Sequence, residues 1–323
     1  MNGKITAYGE IMLRLSAGDV GIAETKAFDA CYGGTECNVL ACLSQFGHDT
    51  KYLTALPNTE LGTATINHIK SFGIDTSDII MRGDVMGIYF VENGTGSRGS
   101  NVIYMRRFSE FTRLCDGDFD YDKVFDGVTL FHMSGISLAL SESSRALAYK
   151  LVDEAKRRGI LVSFDFNYRA KLWDTNTAGE YFRPVIDKAD IVLASTLDLT
   201  TFLNTTEKDY YKKYNNEYLI IRDRKILSAN KHSVKVSVYH NDGKTVESYL
   251  SPTVEFDVAE KIGGGDAFDG GMLHAILSGN DIRSAAQFAI AAFALKHKIS
   301  GDTFTGTIAD VEAYKATFKD LLK

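Results

Sequence analysis

Glu260-Lys261-Ile262-Gly263-Gly264-Gly265-Asp266-Ala267-Phe268-Asp269-Gly270-Gly271-Met272 is the most informative stretch of the 323-residue chain. Three consecutive glycines before an apolar helical run let the backbone turn tightly, so that several N–H groups converge on one anion at a helix N-terminus. Such a site suits a phosphate. A carboxylate at the same helix start can face a substrate hydroxyl while the amides hold the phosphoryl group under attack. This makes Asp266 the candidate base and Gly263, Gly264 and Gly265 the candidate anion hole. A plain acidic N-cap is the competing reading of Asp266. Gly270 and Gly271, inside the helix, each cost about 1 kcal/mol relative to alanine, which predicts close packing against a neighbouring element or ligand.

A second glycine pair, Gly33-Gly34, also opens a helical run, with Asn38 on its first turn and Gly47 placed to end it. Between and around these two segments, strand-like runs at residues 5–15, 51–56, 128–133, 160–166, 191–194 and 218–222 alternate with helix-like runs at 35–46, 62–72, 143–158 and 180–188. That alternation predicts an α/β fold, a mostly parallel sheet covered by helices on both faces. The clearest helix start is Ser141-Glu142-Ser143-Ser144, and that helix runs to Lys156-Arg157-Arg158-Gly159, cations followed by glycine. Two stretches break the rhythm. Residues 84–109 read as a hairpin which, with residues 15–32, forms a small accessory sheet. Asn241-Asp242-Gly243 is a turn signal for an antiparallel hairpin at the sheet edge. With no repeats or Pro/Gly/Ser linkers, residues 1–323 read as one domain.

The balance of 36 basic against 42 acidic residues, without blocks of like charge, argues against a nucleic-acid partner. No apolar run approaches the roughly 18 residues needed to span a bilayer, which argues against a membrane. Cys31, Cys37, Cys42 and Cys115 form no CxxC pair, and the seven histidines form no HExxH pair. Free thiols in a reduced, cytoplasmic compartment are the expectation. Gly94-Thr95-Gly96-Ser97-Arg98-Gly99 matches GxGxxG but precedes a strand-like run rather than a helix, so it reads as a hairpin turn. Gly243-Lys244-Thr245 lacks the earlier glycine of a phosphate loop, Val238 standing there, and is also a turn.

The two glycine segments, in this order and 230 residues apart, resemble the signature regions of the ribokinase-like PfkB carbohydrate kinases. The resemblance covers nearly the whole chain. It implies a three-layer sandwich with a small β-sheet lid formed by about 15–32 and 84–109. It also implies ATP and Mg2+ as cofactors, sugar contacts from Gly33, Gly34 and Asn38, and a homodimer paired through the lid. Gly9-Glu10-Ile11-Met12-Leu13-Arg14, Tyr104-Met105-Arg106, Asp165-Phe166-Asn167-Tyr168-Arg169 and Lys296-His297-Lys298-Ile299-Ser300-Gly301-Asp302 resemble the 2-keto-3-deoxygluconate kinases of that family. Their substrate is an anionic keto acid, and a carboxylate calls for the planar fork of arginine. The resemblance therefore assigns Arg106 and Arg169 to the carboxylate, and Tyr89 and Tyr104 to hydroxyl contacts.

The chain departs from the family at three places, the mildest being Glu260-Lys261 where relatives often have Asp-Thr or Asp-Arg. Ser195-Thr196-Leu197-Asp198 stands where relatives carry Asn-x-x-Glu near magnesium and the phosphates, so Ser195 and Asp198 are nucleotide-side candidates, Asp198 also for the metal. The usual glycine pair of the nucleotide loop is replaced by residues 223–232, from which Arg224 is the candidate to reach ATP, alongside Gly263 and Gly265. The expected activity is ATP-dependent phosphorylation of the primary hydroxyl of 2-keto-3-deoxygluconate. A kinase for another sugar such as fructose or ribose, and a non-catalytic sugar or nucleotide sensor, remain the alternatives.

Overall fold

The computed structural model describes residues 3–18, 20–92 and 101–318. The apolar run at 5–15, read from sequence as one strand, is two: β1 (Lys4–Tyr8) and β2 (Met12–Ser16), which lie in different sheets. Gly9, Glu10 and Ile11 carry the chain between them. Glu10 is buried at this bend, its carboxylate accepting from Arg106 Nε at 2.7 Å and from the Ser109 hydroxyl. Long-range side-chain contacts, with no turn motif, thus fix the change of sheet.

β3 (Asp29–Gly33) pairs antiparallel with β2, and α1 (Thr35–Gln45) follows at once. β4 (Thr50–Leu53) returns parallel to β1. The predicted strand at 51–56 is broken at Thr54, because β5 (Ala55–Leu56) leaves the large sheet to pair with β6 (Ile80–Met81) across α2 (Glu60–Ser71). β7 (Ile88–Glu92) and β8 (Asn101–Met105) complete a four-stranded sheet in the order β3-β2-β7-β8. Its strands lie at 12–16, 29–33, 88–92 and 101–105, starting earlier than the 15–32 boundary expected. The glycine motif at 94–99 lies outside the described residues.

The rest of the chain alternates. α3 (Tyr121–Val124), β9 (Val128–Ser134), α4 (Gly135–Ala139) and α5 (Glu142–Arg157) come in succession. The Ser141 hydroxyl accepts from Ser144 N at 3.1 Å to start α5, and Gly159 ends it with φ +71°. After β10 (Leu161–Asp165), α6 (Thr175–Ile186) starts well before residue 180 because Asp174 accepts from the amides of Asn176 and Thr177. β11 (Ile191–Ala194), α7 (Thr196–Phe202) and β12 (Tyr218–Ser228) complete the parallel part. β12 turns directly into β13 (Lys231–Asn241), so residues 223–232 belong to an antiparallel hairpin rather than a long loop. β14 (Val246–Leu250) follows the Asp242-Gly243 turn, and β15 (Val254–Asp257) pairs with the far end of β13. α8 (Gly264–Leu277), α9 (Ile282–Lys296) and α10 (Ile308–Lys315) close the chain.

Among the described residues the large sheet has nine strands in the order β14-β13-β12-β11-β10-β9-β1-β4, with β15 beside β13. Every pairing from β4 to β12 is parallel. Side chains alternate between two cores. Ile191 and Leu193 of β11 pack with residues of α1, α8 and α9 such as Leu40, Phe268 and Ile290. Val192 and Ala194 pack with Leu151, Phe182 and Phe202 of α5, α6 and α7. Strands buried on both faces read as continuous apolar runs, which is why they were visible in the sequence. The fold is therefore α/β, a mostly parallel sheet between two helical layers with a smaller sheet attached. A Cβ on Gly270 would lie 2.7 Å from Cys42 Cβ, so the helix glycine lets α8 lie against α1. Among the described residues no helix is long and apolar enough to cross a membrane, and all four cysteines are free thiols.

Candidate active site

The C-terminal ends of parallel strands are where α/β sheets bind ligands. Here a cleft of about 780 Å³ opens between those ends and the small sheet. Its lining brings together Gly33, Gly34, Asn38, Tyr89, Tyr104, Arg106, Arg169, Ser195, Asp198, Arg224, Gly263, Gly264, Gly265 and Asp266, the residues assigned catalytic or binding roles from sequence.

Gly263 precedes α8 with φ +80°, a conformation only glycine adopts cheaply. A Cβ there would lie 1.8 Å from the Asp302 carbonyl oxygen. The first-turn amides of α8 have no acceptor four residues back within the helix, and Gly263, Gly264 and Gly265 line the cleft. Asp266 sits on that first turn, inside the helix rather than at its cap. Its Oδ2 accepts from Asn38 Nδ2 at 2.7 Å, and its Oδ1 accepts from the Thr35 hydroxyl. Thr35 in turn accepts from Asn167 Nδ2 at 2.9 Å. Asn167 holds φ +37°, with its own amide donating to Asp165 Oδ1 at 3.2 Å. Burial pushes the Asp266 pKa up, while the Thr35 and Asn38 hydrogen bonds and the charge of Arg169 pull it back.

The two arginines assigned to a carboxylate differ. Arg106 is buried, its guanidinium engaged by Glu10, with Nη2 2.5 Å from Oε2. Arg169 lines the cleft with no hydrogen bond or ion pair from its side chain among the described residues. The tyrosines differ likewise. Tyr89 donates its hydroxyl to Asp302, which also accepts from Arg14. Tyr104, stacked on Tyr89 with ring centroids 6.0 Å apart, has no hydroxyl partner among the described residues.

On the opposite side, Ser195 and Asp198 form a capping box at the start of α7. Asp198 Oδ2 accepts from Ser195 N and Oγ, both at 2.7 Å, and Asp198 N donates to Ser195 Oγ at 3.2 Å. Burial raises the Asp198 pKa. Asp198 Oδ1 has no hydrogen bond among the described residues, and no cluster of three metal-ligating side chains occurs among them. Arg224, an exposed residue of β12, lines the cleft, and its pKa is lowered by partial desolvation there and then by the charges of Arg222 and Arg169.

Four participants escaped the sequence reading: Thr35, Asn167, Arg222 and Asp269. Arg222 Nη1 donates to Gly265 O at 2.9 Å and to Asp269 Oδ1 at 3.0 Å, with its guanidinium over the Phe268 ring at 4.9 Å. It thus ties β12 to the first turns of α8. Asp269 and Asp165 are buried carboxyls hydrogen-bonded to each other. Burial, then the Asp165 charge, pushes Asp269 well above the usual carboxylate range. The one signal in sequence was Asn167, an asparagine just past a strand end, where left-handed backbone is common.

The chain as a whole is similar to known proteins. Residues 2–305 match the family described as pfkB family carbohydrate kinase. The chain belongs to that family. This PfkB chain is 34% identical to the 2-dehydro-3-deoxygluconokinase of Thermotoga maritima, covering 97% of this chain and 99% of that one with a TM-score of 0.91. It is 29% identical over 322 residues to the 2-dehydro-3-deoxygalactonokinase of Haloferax volcanii, covering 97% of this chain and 96% of the relative. A 5-dehydro-2-deoxygluconokinase of Clostridium perfringens is 27% identical over 332 residues, 98% of this chain and 92% of the relative. The PfkB chain is a carbohydrate kinase, and the sensor alternative is set aside.

Proposed function

We propose that this kinase transfers the γ-phosphoryl group of ATP to the primary hydroxyl of 2-keto-3-deoxygluconate, giving the 6-phosphate. One observation carries the substrate class: Arg169 stands in the cleft close enough to influence the Asp266 carboxylate, with no acidic partner of its own among the described residues. An exposed cation without an acidic partner, beside the proposed base, is a site for a substrate anion, and the named relatives are kinases of keto-deoxy sugar acids. Arg106, held by Glu10, positions the small sheet and Tyr104, over whose ring it lies at 5.7 Å.

Asp266 accepts the proton of the attacking hydroxyl. Thr35 and Asn38 hold its two oxygens, so the carboxylate keeps its orientation while one lone pair on each oxygen stays available. The amides of Gly263 to Gly265 stabilise charge on the transferring group. Gly33 and Gly34 admit the sugar close to the backbone at the start of α1. Arg224 faces the phosphates from β12. Asp198 Oδ1, without a hydrogen bond among the described residues, would suit a magnesium ion held chiefly by ATP phosphates and water. When bound, that ion neutralises phosphate charge.

The four-stranded sheet acts as a lid that excludes water, a competing nucleophile. Phe28, Ile103 and Met105 are exposed on or beside it, which supports pairing of two lids in a homodimer. A sizing column distinguishes dimer from monomer. Free thiols support a cytoplasmic location. Phosphorus and carbon NMR of the product tests the regiochemistry: a phosphate ester on C6 is expected, and an ester on any other carbon contradicts the proposal.

A further inference from the structure

Lys296, the last residue of α9, has no exposed surface. Its ammonium donates to the carbonyl oxygens of Ile299 at 2.9 Å and Gly301 at 2.7 Å. Among the described residues no carboxylate lies within ion-pair distance of it. Burying an ammonium without a directly paired anion is costly, and burial lowers its pKa against the pull of Glu260, Asp302 and Asp266. A turn that only needed closing could use a neutral donor, so the charge itself requires a reason.

Position supplies one. A Cβ on Gly263 would lie 2.9 Å from Lys296 Cε as well as 1.8 Å from the carbonyl oxygen of Asp302, the residue after Gly301. The lysine stem and the turn it closes are therefore the surface against which the left-handed glycine of the anion site is packed. Asp302 extends the same turn to Tyr89 and Arg14. No other side chain among the described residues donates to both carbonyls.

We propose that Lys296 is a positioning residue for phosphoryl transfer, its ammonium caged by the Ile299 and Gly301 carbonyls as a fixed positive charge beneath the first turn of α8. The charge adds to the field of the α8 amides, and the two hydrogen bonds keep the turn at 299–302 pressed against Gly263. The inference deepens the phosphoryl-transfer reading above and rests on it.

Lys296→Ala and Lys296→Met variants test it in two ways. The first needs no turnover: thermal unfolding is followed in ammonium, methylammonium and tetramethylammonium chloride at equal ionic strength. Lys296→Ala leaves an oxygen-lined hole, so its midpoint rises in ammonium and not in tetramethylammonium, which is too large. Lys296→Met fills the hole with an apolar stem and responds to neither. The second is ADP release with the keto acid: kcat falls roughly 10- to 100-fold in both variants, less than or near the loss of one oxyanion-hole donor. The sugar KM stays within about twofold of wild type, as expected when an interaction felt mainly in the transition state is removed. Ammonium restores Lys296→Ala and leaves Lys296→Met unchanged. A folded Lys296→Met with wild-type kcat overturns the proposal. So does a Lys296→Ala whose folding and turnover are both indifferent to ammonium. If wild type turns over no sugar, the substrate reading fails, while the unfolding series still decides the cation cage.

Discussion

Asn38 donates its side-chain amide to Asp266 Oδ2 at 2.7 Å, across 228 residues of sequence. The bond joins the two glycine-led helices, α1 and α8, at their first turns. It favours the ionised form of a carboxyl whose pKa burial raises. The proposed base and the helix proposed to face the sugar are thus one unit.

A pH profile reads that bond. The folded Asp266 pKa is raised, so the activity that needs its ionised form is present above that pKa and lost as pH falls through it. Removing Asn38 removes a term that lowers the pKa. The acid limb of kcat/KM in Asn38→Ala therefore moves to higher pH, with activity recovering on the alkaline side. An unmoved limb would show that Asn38 does not tune the base.

Arg169 and Arg106 separate by readout. Arg169→Met raises KM for the keto acid by about 10- to 100-fold, the worth of a charge-assisted hydrogen bond, and leaves the KM for ATP and the thermal midpoint near wild type. Arg106→Met strands the buried Glu10 carboxylate. Breaking a buried pair this way costs about 3–5 kcal/mol, so denaturant unfolding shows the loss before any kinetic assay does. Reversal of the two patterns would exchange their roles.

Gly263→Ala places a methyl group against the Asp302 carbonyl on a backbone with φ +80°. Left-handed strain and overpacking together predict a loss of roughly 2–5 kcal/mol in unfolding free energy. Gly243→Ala is the control, since its φ of +82° comes with open space around it. It should lose only the strain component, about 1–2 kcal/mol. Equal losses in the two variants would remove the role assigned to the Asp302 contact.

Much of this was readable in advance because it is local. Glycine runs, the Ser141 cap and strands buried on both faces leave their mark within a dozen residues, whereas many residues that line the cleft were suggested only by the family resemblance. Partnerships were not readable. Arg106 looked like a free carboxylate ligand because Glu10, 96 residues away, gives no sequence sign of claiming it. Arg222 reads as the polar end of a strand until α8 is folded against it, 43 residues on. Residues 223–232 look like a loop because the edge hairpin is solvent-facing and therefore polar. The break at Gly9-Glu10-Ile11 was missed because an apolar run alone does not reveal a change of sheet.

The most direct test is ADP release by the purified protein with magnesium and ATP. 2-Keto-3-deoxygluconate, 2-keto-3-deoxygalactonate, fructose, ribose and gluconate are offered in parallel, beside an Asp266→Asn variant. Turnover confined to the keto-deoxy acids and reduced about 10²- to 10⁴-fold in Asp266→Asn, the range for loss of a general base, is the predicted result. Preference for fructose or ribose, or an Asp266→Asn variant as fast as wild type, would contradict it.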